Sequence, residues 1–289
     1  MPRTLAPSPP RSPTERTERT GSGAVLGTGY TVRVVLGSAR RELNRLVRAR
    51  VRLLAGMVQP MVILFALGAG LDKAVSLTST GQAPYRLFVA AGAAITALTT
   101  TCMYSALSIV GDRQSGFLRS MLVSPAPRLA LLVGRTLAVS VIAVLQTVAV
   151  LLCAVPLGLH FTIGTLLLSM AAGAICAFAI SGIGTLIAAA LERQENVNAV
   201  NQLALLPLIF LSGGVYALTA APRALRIAGY LDPLKYAVDV LRYAFVGAAP
   251  TPALPGPVGL TIGADCLVML AVGVVGLIAG ASLLGRERN

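Results

Sequence analysis

The sequence predicts an all-α integral membrane protein with six transmembrane helices and both termini in the cytoplasm. Of its 289 residues, 55% are hydrophobic and 12% are charged, about half the charged share that is usual in soluble domains. The mean hydropathy is +0.78. A soluble core of this size would need far more polar surface to cover it, so we expect the apolar residues to face lipid.

Six apolar windows are long enough to cross a bilayer, which takes about 20 residues in a helix. They comprise residues 53–71, 87–110, 135–157, 163–190, 197–217 and 262–284. With the N-terminus inside, 18 of the 24 lysines and arginines fall on the inner side and 6 on the outer side. This bias follows the positive-inside rule and places both termini in the cytoplasm.

The first 30 residues differ from the rest of the chain. They lack the apolar core of a signal peptide and carry five prolines among the first 13 residues. We therefore predict a disordered cytoplasmic tail over 1–30 and a transmembrane domain over 31–289.

A basic amphipathic helix is predicted over residues 31–52, where apolar residues recur at steps of three and four and arginine fills other positions. Such a helix lies along the inner leaflet as an interfacial helix. It serves either as an anchor that sets the topology of the first span or as a lever that transmits force into it. The apolar positions are Val32, Val35, Leu36, Ala39, Leu43, Leu46 and Val47.

Several function classes lack the residues that they require. The net charge of +13 is not spread over a polar surface, so a nucleic-acid partner is not expected. The single histidine, His160, has no second histidine or carboxylate nearby in sequence, and Asp265 is the only acid inside a predicted span. No Gly-Lys pair forms a phosphate-binding loop. We predict no catalytic residues, no metal site and no cofactor in this chain, and any nucleotide chemistry belongs to another chain.

The inner loop after the second span contains an apolar stripe at helical spacing, followed by Pro125 and Pro127, which end the helix. The stripe consists of Phe117, Leu118, Met121 and Leu122. A short surface helix with exposed apolar residues is a candidate docking element for a partner protein. The alternative is a turn that lies on lipid headgroups.

Two segments resemble a known family. Residues 112–128 resemble the segment before the third helix in type-2 export permeases of ABC transporters, with the closest likeness to the daunorubicin-resistance branch. Residues 210–216 and 231–242 resemble the segment that follows the fifth helix of the same family. Together with the six spans, the resemblance covers most of the chain beyond residue 30.

The resemblance implies a division of labour. Permeases of this kind pair as dimers with an identical or homologous second permease, and each half receives a separate ABC ATPase subunit that holds ATP and magnesium. Residues 31–52 would be the connecting helix, beside a cytoplasmic coupling helix that enters the ATPase. The implied coupling residues are Asp112, Arg113, Phe117, Leu118, Arg119, Met121 and Leu122.

The segment after the fifth span shows helix-breaking and helix-starting signals. Residues 212–214 break the helix, Asp232 is a predicted N-cap with Pro233 at the first helical position, and Asp239 can pair with Arg242. The resemblance implies two short outer re-entrant helices that cover the exit; the alternative is an outer loop with capped helices. The implied outer gate comprises Gly213, Gly214, Asp232, Pro233, Tyr236 and Arg242.

Apart from Asp265 and the terminal Arg135, the polar residues within the spans are mild and uncharged. Most of them are explained as hydrogen-bonding contacts between helices, together with close approach at the glycines of residues 182–184 and 276–280. If a substrate path exists at the dimer interface, the resemblance places it along the first, second and fifth helices. The predicted lining residues are Gln59, Ser105, Asn201 and Gln202.

We therefore expect the permease subunit of a bacterial plasma-membrane ABC exporter, which moves a hydrophobic drug, antibiotic or lipid-like compound. The charge-free path favours such a substrate over an ion or a sugar phosphate. Two alternatives stay open. One is a permease of the same architecture for a glycan or lipid precursor, and the other is a membrane enzyme or scaffold without transport.

Overall fold

The computed structural model describes residues 28–70, 85–115, 128–191, 193–215, 222–246 and 262–286. Within these ranges the chain is helical, with short connections and no strand. The helices are α1 (Thr28–Arg48), α2 (Arg50–Val62), α3 (Tyr85–Gln114), α4 (Arg128–Ala154), α5 (Ile163–Ala190), α6 (Gln194–Leu211), α7 (Arg223–Leu231), α8 (Pro233–Val246) and α9 (Ile262–Arg286).

Four helices are long and apolar enough to cross a membrane, and they confirm four of the six predicted spans. Their apolar lengths run over Tyr85–Gln114, Leu129–Leu157, Ile163–Ala190 and Ile262–Leu284. The third and fourth of these agree with the predicted windows at both ends, because nothing but apolar length is needed to define them. The chain is a multi-pass membrane protein.

The first predicted span lies on a bent pair of helices. Gly29–Arg48 and Leu53–Leu67 meet at 67°, and the pair counts as a fifth crossing only if it is taken as one span. Pro60 lacks an amide hydrogen, and a π-helical turn, Ile63–Leu67, follows it before a last helical turn, Gly68–Gly70. The first apolar window is therefore helical but irregular.

The fifth predicted span is only partly realised in α6. The helix begins at Gln194, ends at Leu211 and holds six polar residues in its first nine positions. Its apolar stretch runs from Leu203 to Leu211 and contains Pro207. This stretch is too short to cross a bilayer alone, which takes about 20 residues. The six-span count is thus not reached within the described ranges.

The core is built around α3, although α3 is the least hydropathic of the four spanning helices. In its most apolar window 78% of the residues are buried, against 50% or less in the other three spans. Helices α2, α4, α5, α6 and α8 all pack on it. Because α3 is surrounded by protein, its alanines and threonines face other helices rather than lipid.

The backbones of α5 and α9 touch at glycines. A methyl group on Gly182 would lie 2.5 Å from the carbonyl oxygen of Gly273, and one on Gly276 would lie 2.5 Å from the carbonyl carbon of Gly182. A methyl group on Gly280 would lie 2.9 Å from the Thr185 side chain. These contacts confirm the predicted close packing of the two glycine motifs.

Candidate functional site: two polar clusters at opposite ends of the helix bundle

Helix α1 packs along the start of α4. Gly134 of α4 lies against the Val35 carbonyl and the Ser38 hydroxyl, where any side chain would overlap the α1 backbone. The face of α1 turned to the protein contains Ser38, Glu42 and Leu46, which are all buried. Three of the predicted apolar positions, Val32, Leu36 and Val47, are instead exposed on the outer face.

Arg135 of α4 is the centre of a buried polar cluster, which we call the inner cluster. Its Nη2 lies 3.3 Å from Oε1 of Glu42 and donates to the Ser105 carbonyl oxygen at 2.8 Å. Its Nε donates to the Ser105 hydroxyl at 3.2 Å. The hydroxyls of Ser105 and Ser108 both donate to Oε1 of Glu42, at 3.2 and 3.5 Å. The cluster therefore joins α1, α3 and α4.

Asp112, near the end of α3, extends the inner cluster toward the surface of the protein. Its carboxylate lies 3.4 Å from Arg135 Nη1, 3.2 Å from Arg45 Nη1 and 3.7 Å from Arg41 Nη2. Two of these arginines belong to α1. Asp112 thus binds α1 and α4 at once.

A small cavity adjoins the inner cluster. Its volume is about 40 Å³, enough for two or three water molecules at about 10–15 Å³ each. It is lined by Glu42, Arg45, Leu46, Ala49, Leu53, Thr101, Tyr104 and Ser108. The second carboxylate oxygen of Glu42 is buried and accepts no hydrogen bond from the described residues.

The predicted coupling residues divide between described and undescribed parts of the chain. Asp112 belongs to the inner cluster, and Arg113 follows it as a half-buried residue of α3. The remaining five, Phe117, Leu118, Arg119, Met121 and Leu122, lie outside the described residues.

The predicted path residues do not come together in one pocket of this chain. Ser105 is held in the inner cluster by Glu42 and Arg135. Gln59 lies on the exposed face of α2, and on α6 Gln202 is exposed while Asn201 is half-buried. Elsewhere in the spans, the Thr101 hydroxyl donates to the Gln146 side-chain oxygen at 2.7 Å, which confirms the predicted contact role of such residues.

At the opposite end of the bundle, the chain after α6 is fixed to α3. Gly213 has a positive φ of 75°, which a glycine adopts without strain. Gly214 lies so close to Gly92 that a side chain at Gly92 would overlap the Gly214 carbonyl. The Tyr85 hydroxyl donates to the Val215 carbonyl at 3.2 Å. The predicted helix break is therefore a built junction between α3 and the end of α6.

Arg242 of α8 completes this junction. We call Arg242 and the residues around it, Phe88, Gly213, Asp239 and Lys235, the outer cluster. It donates from Nη2 to the Gly213 carbonyl, and its guanidinium carbon lies 3.5 Å from the centre of the Phe88 ring. The predicted pair with Asp239 is confirmed at 3.9 Å. A closer partner of Asp239 was not predicted: Lys235 Nζ lies 2.8 Å away.

Asp232 caps α8 as predicted, and Pro233 is the first residue of that helix. The Leu234 amide donates to Oδ1 of Asp232 at 2.9 Å. Burial raises the pKa of Asp232 to about 6, and the hydrogen bond from Leu234 opposes this shift. The Tyr236 hydroxyl donates to the Tyr230 carbonyl at 2.9 Å and so ties α8 to α7.

Neither cluster has the composition of a metal site. Across the part of the chain that the structure describes, no group of three or more histidine, cysteine or acidic side chains could hold a metal ion. The inner cluster pairs each acid with arginines, and the outer cluster pairs Asp239 with Lys235 and Arg242. Both arrangements hold helices together.

Comparison with known proteins decides the family. The family model described as ABC-2 type transporter matches residues 34–246, which run from α1 to the end of α8 and include both clusters. The chain belongs to the ABC-2 type transporter family. Members are transport permease subunits that work with a separate ABC ATPase, typically as dimers.

Three relatives with curated names are similar to this chain and come from three different organisms. A putative transport permease, ycf38, of Cyanophora paradoxa is 27% identical over 71% of this chain and 72% of its own length. Nodulation protein J of Rhizobium leguminosarum bv. trifolii is 25% identical over 68% of this chain and 74% of its own. The probable doxorubicin resistance ABC transporter permease protein DrrC of Mycobacterium tuberculosis is 26% identical over 81% of this chain and 85% of its own.

Membership in the ABC-2 family resolves one alternative from the sequence. The chain is a transport permease subunit, and the ATPase is a separate subunit, so the membrane-enzyme interpretation is set aside.

The residues that sequence reasoning missed are Glu42, Arg135 and Lys235. A single glutamate among five arginines of α1 was the available signal for Glu42.

Proposed function

We propose that this chain is the membrane-spanning permease subunit of an ABC exporter in a bacterial plasma membrane. It moves a hydrophobic drug, antibiotic or lipid-like compound outward, driven by ATP that the separate ATPase hydrolyses. Its permease partner is an identical or homologous copy. The apolar windows that begin in α2 and α6 serve as the first and fifth of six crossings, which keeps both termini in the cytoplasm.

The observation that carries the proposal is the character of the exposed faces of α2 and α6. Neither helix has a charged residue between Leu53 and Gly70 or between Val197 and Leu211. Within these stretches large apolar side chains are exposed, with Leu54 69% and Leu203 80% exposed. A second permease placed against these faces would enclose a charge-free surface along which Gln59, Asn201 and Gln202 supply mild polarity.

The grouping of residues at the two ends of the bundle supports the proposed orientation. Glu42, Asp112 and Arg135 meet at one end, and Arg86 donates to the Leu157 carbonyl at the other, where Arg242 also lies. These are the two groups that the positive-inside assignment places on opposite sides. The inner cluster then faces the ATPase and the outer cluster lies beside the exit.

The outer cluster supports a gating role for α7 and α8. Both helices are too short to span a bilayer, with 9 and 14 residues. They are fixed to α3 and the end of α6 through Arg242, Phe88 and Gly213. In the proposed exporter they re-enter the outer leaflet, and release of this junction opens the exit.

The subunit composition is tested first. A tagged chain, purified in mild detergent from its native membrane, should bring down an ABC ATPase in about equal amount. The matched control is the same tag on an unrelated multi-pass protein. Absence of any ATPase in repeated purifications, with the permease itself folded, would contradict the proposal.

The substrate class is tested on the reconstituted complex. We choose doxorubicin as the first probe because the name of one relative specifies resistance to it. ATP should drive doxorubicin across proteoliposome membranes, and a complex with a hydrolysis-deficient ATPase should not. A fluorescent lipid serves as the probe for the second candidate, a glycan or lipid precursor permease. One relative is named for nodulation and not for drug resistance, so both probes are tested.

A further inference from the structure

The inner cluster closes the base of the loop that is expected to meet the ATPase. Asp112 comes four residues before residues 116–127 and Arg135 eight residues after them, and their side chains lie 3.4 Å apart. Whatever moves that segment must pull on this pair. The two ends of the loop are therefore tied together before either helix enters the bundle.

Helix α1 is tied to the same pair through three further contacts. Glu42 lies 3.3 Å from Arg135, and Arg45 and Arg41 lie 3.2 and 3.7 Å from Asp112. The Glu42–Arg135 contact is buried, with side-chain exposures of 2% and 10%. Coulomb attraction is less screened in such a place than at a surface, so the contact holds its geometry against displacement.

We infer that Arg135 is a positioning residue that makes α1 and both ends of the 116–127 segment one mechanical unit. This inference rests on the proposed function, because it needs an ATPase that displaces the segment. Displacement then reaches α1 through Glu42 and Asp112 at the inner ends of α3 and α4. Helix α1 then acts as a lever that transmits force into the first span, and not only as an anchor that sets its topology.

The contact geometry explains why an arginine stands at position 135. One planar guanidinium offers several donors, and here its three nitrogens contact Glu42, Ser105 and Asp112 in different directions. A lysine would present one ammonium and could not hold all three elements in the same geometry. Neutral Gln at this position would keep a polar group but leave Glu42 without a cation and Asp112 with only Arg41 and Arg45.

The test is hydrogen exchange, read by mass spectrometry, on the purified permease–ATPase complex with and without a non-hydrolysable ATP analogue. In the wild type the analogue should change exchange in two regions, residues 116–127 and α1. In Arg135→Gln the change at 116–127 should persist while the change in α1 falls by half or more, since Asp112 keeps only its own contacts to Arg41 and Arg45. A purely structural role for Arg135 would raise exchange in α1 in both states and leave its nucleotide response in place.

A second variant and a control keep the outcome decisive. Asp112→Asn, whose side chain is 14% exposed, removes the contacts to α1 while Glu42 still pairs with Arg135, and it should halve the α1 response or more. Arg40→Gln removes an arginine from the exposed face of α1 and should respond as the wild type does. If both cluster variants keep the full α1 response, the inference is overturned. If the wild type shows no response at 116–127, the proposed function fails instead.

Discussion

The guanidinium of Arg242 lies over the ring of Phe88, with 3.5 Å between the guanidinium carbon and the ring centre. It also donates to the Gly213 carbonyl, so one side chain of α8 holds α3 and the end of α6. A guanidinium suits both contacts, because its charge is spread over several N–H donors and one of them can donate while the carbon stays over the ring.

Replacement of Arg242 by lysine should therefore destabilise the permease almost as much as replacement by glutamine. We expect a loss of about 1–3 kcal/mol, since a buried carbonyl loses its charged donor and Phe88 loses its stacked cation. Thermal unfolding in detergent measures the effect, with Arg223→Gln on the exposed side of α7 as the matched control. An Arg242→Lys variant as stable as the wild type would refute the stacking argument.

Substitution of Gly182 by alanine should separate α5 from α9. The added methyl group would lie 2.5 Å from the Gly273 carbonyl oxygen, and a backbone atom cannot swing aside as a side chain does. We expect a loss of about 1–3 kcal/mol in the free energy of unfolding, as for other overpacked sites. The control is Gly263→Ala in α9, where nothing lies within 4 Å and stability should not fall. Equal unfolding midpoints for both variants would contradict the close contact.

Substitution of Gly134 by alanine should loosen α1 from α4. Any side chain there overlaps the Val35 carbonyl and the Ser38 hydroxyl, so the helices must move apart. We expect faster amide exchange throughout α1 with little change in α5 and α9. Gly37→Ala, on α1 itself and with nothing within 4 Å, should leave exchange at the wild-type rate or slower. Unchanged protection of α1 in Gly134→Ala would show that the contact is not formed.

Asp232 should make the stability of the α7–α8 pair depend on pH. Its pKa is about 6 when folded and near 3.8 when unfolded, so the folded state takes up the proton first as pH falls. Through this group, stability rises from pH 7 down to about pH 4. Asp232→Asn keeps a cap oxygen and should remove that pH dependence, whereas Asp232→Ala should lose about 1 kcal/mol at pH 7. Unfolding midpoints at pH 5 and pH 7.5 distinguish the three proteins.

Aspartate at Leu118 or Met121 should release the ATPase without unfolding the spans. Both residues belong to the apolar stripe, and a carboxylate would have to be desolvated in a protein interface. Co-purification of the ATPase measures the effect, and the unfolding midpoint of the permease should not change. Ser120→Asp adds the same charge beside the stripe and should keep the ATPase bound. Normal co-purification with both stripe variants would remove this segment from the interface.

Length and apolarity were enough to predict four of the spans from the sequence. The helix 163–190 is free of charge, and a bilayer-spanning helix is its one stable arrangement. Local signals were enough for the Asp232 cap and the glycine contacts, since each depends on residues a few positions apart or on backbone access. The family match confirms what the two quoted motifs indicated.

The inner cluster could not be predicted, because its members come from three distant parts of the chain. Glu42 and Arg135 are 93 positions apart, and each looks like an ordinary loop or interface charge in its own segment. Periodicity identified an apolar stripe on α1 but not the face that packs on protein, where Ser38 and Glu42 are buried while Leu36 is exposed. Packing of one helix on another selects the buried face, and hydropathy alone does not contain that information.

Where Gly182 of α5 meets Gly273 and Gly276 of α9, the backbones are in direct contact and no side chain lies between them that could slide or repack. Two helices joined in this way respond to load as one stiff body. Any volume that opens for cargo must then come from displacement of α2, α6 and the short outer helices against that body. Conformational energy supplied at the inner face would then displace α2, α6, α7 and α8, while the α5–α9 pair stays fixed.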